Sequence, residues 1–213
     1  HTYLWNENQT EAFLKVTGFT YKSMQVKRNG ELLSINYRVP NQNQCKECHL
    51  KNNEIMPIGP KSRNLNFSIE YKDKKANQIS YWLENEMVEN HIPLDLIVDW
   101  SDVSAPIEAR ARAYLDINCG HCHMPSGSAD TTGLYLQLTE TDNMKLGIYK
   151  KPVAAGRASG DLKYSIVPGK PDESIMLNRM KSLDPGEMMP ESGRTTTHVE
   201  GVSIVNDWII SLK

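Results

Sequence analysis

Two pentapeptides limit what this chain can become: Cys45-Lys46-Glu47-Cys48-His49 and Cys119-Gly120-His121-Cys122-His123. They hold all four cysteines of the 213 residues, and each pair is followed at once by histidine. Cys-x-x-Cys-His is the attachment pattern of a c-type haem. Two thiols three residues apart add across the two vinyl groups on one porphyrin edge. The next residue then lies under the ring, where an imidazole nitrogen binds the iron. The spacing therefore predicts two covalently attached haems. Cys45, Cys48, Cys119 and Cys122 are the attachment points, and His49 and His123 are the proximal iron ligands.

Other uses of paired cysteines fit less well. A four-cysteine zinc site places its pairs about 15 to 20 residues apart, whereas these lie about seventy apart. It also leaves the two histidines without a reason. A thioredoxin-like redox site asks for one Cys-x-x-Cys beside a βαβ pattern. Disulfides closed within each pair are strained, and they too leave the histidines idle.

A chain of this length suits one large domain or two small ones. Apolar residues make up 39% of it, a low share of the kind expected where porphyrins supply part of the core. The net charge of −2 provides no basic field for nucleic acid. No run of ~18 apolar residues is present to span a membrane. No charged-then-apolar leader stands at His1, so an export signal is expected to have been removed or not included. Attachment of c-type haem takes place outside the bacterial cytoplasm, so the haem reading implies a periplasmic or otherwise exported protein.

Residues 1–44 read as an N-terminal appendage covering one haem edge. It starts with a short helix within residues 2–16. A hairpin follows, pairing Tyr21–Val26 with Leu32–Val39 across Asn29-Gly30. Residues 45–102 form the haem 1 unit, with a helix over residues 76–90 that puts Ile79, Trp82, Leu83 and Met87 on one stripe. Pro93 and the segment Asp99–Ser104 mark the boundary to a haem 2 unit over residues 103–213. There Ser104-Ala105-Pro106 reads as an N-cap and early-turn proline of a helix that runs to about Asn118, straight into Cys119. Val167–Pro171 reads as a turn and Ser174–Lys181 as a short helix. Thr197-His198-Val199-Glu200 reads as a capping box, opening a last helix with Val202, Val205, Trp208, Ile209 and Leu212 on one stripe. The expected fold class is mainly α: two cytochrome-c-like haem units behind a small β-containing appendage.

A helix entering Cys119, the pair Met189-Pro190 and a terminal helix carrying Trp208 resemble the order found in class I cytochromes c. The resemblance implies that the first and last helices of this unit cross beside the haem. It also implies Met189 as the distal ligand of haem 2, with Met188 the alternative one residue away; thioether ligation raises the reduction potential. For haem 1 it implies that Gly59-Pro60 supplies a carbonyl to the Nδ1–H of His49. Nearly the whole chain is similar to a family of exported bacterial dihaem c-type cytochromes. The residues that carry this likeness are Tyr3–Thr10, Val39–Cys45, Ile58–Lys61 with Leu65-Asn66, Arg110–Asp116 and Pro152–Gly156.

The distal ligand of haem 1 stays open among Met87, which is favoured, Met24, Met56, His91 and no protein ligand at all. Arg157, Arg179 and Arg194 are candidate partners for haem propionates. Two functions follow. One is an electron carrier serving exported redox-protein partners, alone or within a larger oxidoreductase complex. The other is a dihaem peroxidase-like enzyme whose haem 1 is open to substrate. No acid–base pair for peroxide cleavage stands near Cys45–His49, which favours the carrier, and no catalytic residue is assigned.

Overall fold

The computed structural model describes residues 1–18, 21–28, 30–56, 58, 61–89 and 96–213. Its first elements are strands β1 (Tyr3–Trp5) and β2 (Ala12–Leu14), paired antiparallel with Tyr3 opposite Leu14. The helix expected within residues 2–16 is absent, and Asn6 gives the reason. Its Oδ1 accepts the backbone N–H groups of Thr10 and Glu11 at 3.0 and 3.4 Å, and Gln9 takes a left-handed φ of 56°. A side chain that captures nearby backbone in this way competes with a helix.

The second hairpin matches expectation. Strands β3 (Tyr21–Arg28) and β4 (Glu31–Arg38) pair over eight positions, from Tyr21↔Arg38 to Arg28↔Glu31. Gly30 in their connection has φ 88°, a conformation that favours glycine; Asn29 lies outside the described residues. Arg28, at the tip, donates to the Thr197 carbonyl at 3.1 Å and to the Glu200 carboxylate. The tip therefore lies against the start of the last helix, far along the chain.

Helix α1 (Gln42–His49) carries the whole first pentapeptide. A reciprocal cap starts it: Asn41 Oδ1 accepts the Gln44 N–H at 2.9 Å, and Gln44 Oε1 accepts the Asn41 N–H at 3.0 Å. Then come β5 (Leu50–Lys51), β6 (Glu54–Ile55), α2 (Ser62–Leu65), β7 (Ser68–Glu70), β8 (Lys75–Asn77) and α3 (Gln78–Glu84). Asn77 caps α3 by accepting from Ile79 and Ser80, each at 3.1 Å. The helix stops well short of residue 90, because Glu86 turns left-handed at φ 54°. Met87 thus falls outside it and is 62% exposed rather than part of a buried stripe.

The packed body of the molecule is built by α4 (Ile107–Asn118), α5 (Ile175–Lys181) and α6 (Val199–Ser211). All three agree closely with the sequence reading, but the caps expected for α4 and α6 do not form. The Ser104 hydroxyl donates to Asp102 at 2.7 Å instead of capping α4. The Thr197 hydroxyl donates to the Lys181 carbonyl at 3.2 Å, so no capping box opens α6. Helices α4 and α6 cross, and Tyr114, Leu115, Val205, Trp208 and Ile209 are buried together in the crossing. Each such side chain contributes ~1.5–3 kcal/mol relative to exposure. Gly201 permits the approach: a Cβ there would lie 2.1 Å from the Tyr114 ring.

The expected mainly α fold made of two cytochrome-c-like units is overturned. Among the described residues there are six α-helices and four separate two-stranded sheets, 30% helix and 18% strand, which is a mixed α/β protein. The difference arises in the first hundred residues. There α1, α2 and α3 bury a single residue between them, Ile79. Short helices gain most of their stability from a buried face, and this segment has almost none to offer. Hairpins closed by local turns take its place.

Candidate functional site

The second pentapeptide follows α4 directly. The N–H groups of Cys119 and Gly120 both donate to the Leu115 carbonyl at 2.9 Å, and those of Cys122 and His123 donate to the Cys119 carbonyl at 3.1 and 3.0 Å. Gly120 is required here, since a Cβ would lie 2.8 Å from the Asp116 carbonyl oxygen. His123 is 7% exposed. Its Nδ1 lies 3.3 Å from the Leu134 carbonyl. A carbonyl only accepts, so Nδ1 carries the proton and the Nε2 lone pair is left free. Desolvation holds the imidazole below its ordinary pKa, outweighing the pull of Cys122 and of the Leu134 carbonyl. A neutral, oriented imidazole is the form that binds a metal.

His123 opens onto a cavity with about 800 Å³ of empty space, part of it continuous with solvent. Its walls are mostly apolar, with Leu134, Leu136, Ile175 and Met176 among them, and Cys119 and Met189 line it too. Lys150 and Arg179 are the cations on its wall. A neighbouring space of about 1220 Å³ shares Cys119, His123, Arg179 and Met189 with it, and is further lined by Cys48, His121 and Cys122. Met188 is buried and lines neither space, so of the two adjacent methionines it is Met189 that faces His123's cavity. An imidazole, a thioether and a thiol on one apolar cavity form a donor set that fits a c-type haem.

Of the three arginines read as propionate partners, Arg179 borders both spaces. Arg157 pairs with Asp184 at 2.6 Å. Arg194 donates to the carbonyls of Arg179 and Ser182 at 3.1 and 2.6 Å, and neither it nor Arg157 lines the two spaces.

The first pentapeptide occupies the last turns of α1, so Cys45, Cys48 and His49 follow helical spacing. The chain then folds back through β5 and β6 about Asn52 and Asn53, at φ 50° and 63°. This brings Met56 to His49: its carbonyl oxygen lies 3.0 Å from His49 Nδ1, and its N–H donates to the His49 carbonyl at 2.7 Å. The carbonyl expected from Gly59-Pro60 lies outside the described residues, as does His91. Met24, Met56 and the exposed Met87 line neither cavity, and neither do Cys45 and His49.

The two pentapeptides, about seventy residues apart, lie side by side. Cys122 Sγ is 3.4 Å from the Glu47 carbonyl, and Ser128 Oγ donates to the same oxygen. Lys51 forms a β-bridge with Gly127, and the Asn52 N–H donates to the Ser126 carbonyl at 3.2 Å. The closeness of the Cys48 and Cys122 sulfurs, with burial, raises the Cys48 thiol; the same closeness, helped by His121 and Ser128 against burial, lowers the Cys122 thiol. Burial pushes the Cys119 thiol up to about 12.

A second tie between the halves is ionic. Asp116, one turn before Cys119 and fully buried, accepts from Arg63 Nε and Nη2 at 3.1 and 2.9 Å, from Lys61 Nζ at 3.0 Å and from the Leu138 N–H at 3.0 Å. Burial alone would raise its pKa, but the bonds from Arg63, Leu138 and Lys61 hold the carboxyl below its usual range. Neither this cluster nor the approach of Cys48 to Cys122 was legible in the sequence. The cap formed by Asn41 and Gln44 does have a local signal, the Asn-x-x-Gln spacing.

No family model matches the chain. No curated protein and no solved structure is similar to it at a level that carries an argument.

Proposed function

We propose that this chain is a dihaem c-type cytochrome that carries electrons between exported redox-protein partners. Haem would attach through Cys45 and Cys48, and through Cys119 and Cys122, and its iron would be held by His49 in one site and by His123 and Met189 in the other. The observation that carries the reading is the cavity that His123, Met189 and Cys119 share. Bound haem supplies a one-electron iron couple. The chain's own residues do the rest. The Leu134 carbonyl fixes the His123 tautomer, mostly apolar walls surround the ligands, and Lys150 and Arg179 offer charge to propionates. A thioether at Met189 favours the reduced state more than water would.

The test counts haems and ligands. Denatured protein should retain two haems through acid–acetone extraction, with the matching gain in mass. Oxidised protein should show the weak long-wavelength sulfur-to-iron band, and Met189→Ala should abolish it. A chain isolated without haem under conditions that mature other c-type cytochromes ends the proposal. A second reading, a peroxidase-like enzyme with an open distal face at haem 1, draws support from the exposure of Met87 beyond the end of α3. A high-spin signal from one haem by EPR, together with peroxide turnover, would select it over the carrier.

A further inference from the structure

Cys48 comes from the end of α1 and Cys122 from the turn after α4. Yet one ligand atom from each, and one from His121, all lie within 4.8 Å of one another. The backbone bridge of Lys51 to Gly127 and the bond from Ser128 to the Glu47 carbonyl hold the two segments in that register. We propose that Cys48, His121 and Cys122 form a binding site for a thiophilic d10 metal ion, and that this ion competes with haem for the two sulfurs. The metal site stands on this geometry alone; the competition rests on the haem reading.

Two thiolates and an imidazole are the ligands that zinc and cuprous ions prefer. A zinc ion sits ~2.3 Å from sulfur and ~2.0–2.1 Å from imidazole nitrogen, so the three ligand atoms need to close in by at most about an ångström. His121 is suited to the task, because its buried Nδ1 makes no hydrogen bond that ligation would have to break. Glu47, whose carboxylate accepts from Ser192 at 2.7 Å, borders the same space and leaves the fourth position to itself or to solvent. On binding, any proton still held on the two sulfurs passes to solvent and no electron moves. Cys45 and Cys119 take no part, which separates this arrangement from a zinc ion held within either Cys-x-x-Cys pair.

The test has two arms. In the first, the reduced full-length chain from a host without haem attachment is titrated with zinc, and with cobalt(II) as its spectroscopic substitute. One equivalent should bind, with thiolate-to-cobalt charge transfer. Cys48→Ser, Cys122→Ser and His121→Gln should each weaken zinc binding roughly a hundredfold, and Cys45→Ser should not. Two equivalents, or loss of binding in Cys45→Ser, overturns the site. In the second arm, wild type and His121→Gln are matured in a haem-attaching host with and without added zinc, and haem per chain is counted. Zinc should lower the haem content of wild type but not of His121→Gln, which keeps every attachment cysteine and both proximal histidines. Equal loss in both overturns the competition. Chains with no haem in either, even without zinc, sink the haem reading, and the titration still decides the metal site.

Discussion

Removing the carboxylate of Asp116 should cost this protein a large share of its stability. The side chain is fully buried, while Arg63 and Lys61 keep 18% and 29% of their side chains exposed. Asp116→Ala strands the Arg63 guanidinium, the Lys61 ammonium and the Leu138 N–H together. Breaking a buried ion pair from one side costs ~3–5 kcal/mol, against a total of ~5–15 kcal/mol for a typical domain. Partial exposure lets water reach both cations, so the expected loss is ~3 kcal/mol, the lower end of that range. Arg63→Met, which keeps the stem and removes the charge, should cost ~2 kcal/mol because Lys61 still serves the carboxylate. The double variant should fall short of the sum by ~1–2 kcal/mol, the coupling between groups in direct contact. Urea unfolding followed by circular dichroism measures all four species. The pH dependence has a definite sign. The carboxyl pKa is depressed in the folded state, so its stabilisation is fully present above the unfolded value of ~3.9 and is lost as pH falls through the folded value. Wild type and Asp116→Ala should therefore converge in acid. A coupling below ~0.5 kcal/mol, or a difference that stays constant down to acid pH, would refute the reasoning.

Other outcomes follow from single contacts. Gly201→Ala gains up to ~1 kcal/mol of helix propensity, but the new methyl meets the buried, hydrogen-bonded Tyr114 ring, so thermal unfolding should show a net loss of ~1–3 kcal/mol. Asn41→Ala should lower stability by ~1 kcal/mol and speed amide exchange across α1, with Asn41→Asp close to wild type. Met188→Ala empties a core position and should cost ~2–5 kcal/mol while leaving the sulfur-to-iron band in place. Met189→Ala should do the reverse, losing the band at little cost in stability. If Met188→Ala loses the band, the ligand loop is displaced by one residue.

Several features of this protein were determined by the sequence alone, and each is local. The two Cys-x-x-Cys-His patterns, the β3–β4 hairpin, and the spans of α4, α5 and α6 rest on turn chemistry and on apolar stripes within a few turns of chain. Where a local competitor was stronger than the pattern, the reading failed. Asn6 captured the backbone that was expected to be helical, and Glu86 ended α3 before Met87 could join its stripe. Tertiary structure alone decided three further things. It set the approach of Cys48 to Cys122, the seating of Arg63 and Lys61 on Asp116, and the pressing of Gly201 against Tyr114. Each joins residues more than fifty positions apart, and no periodicity or spacing records which distant partner a side chain will meet. Packing chooses that partner, because a buried carboxylate needs its cations and a close helix crossing needs a residue without a Cβ.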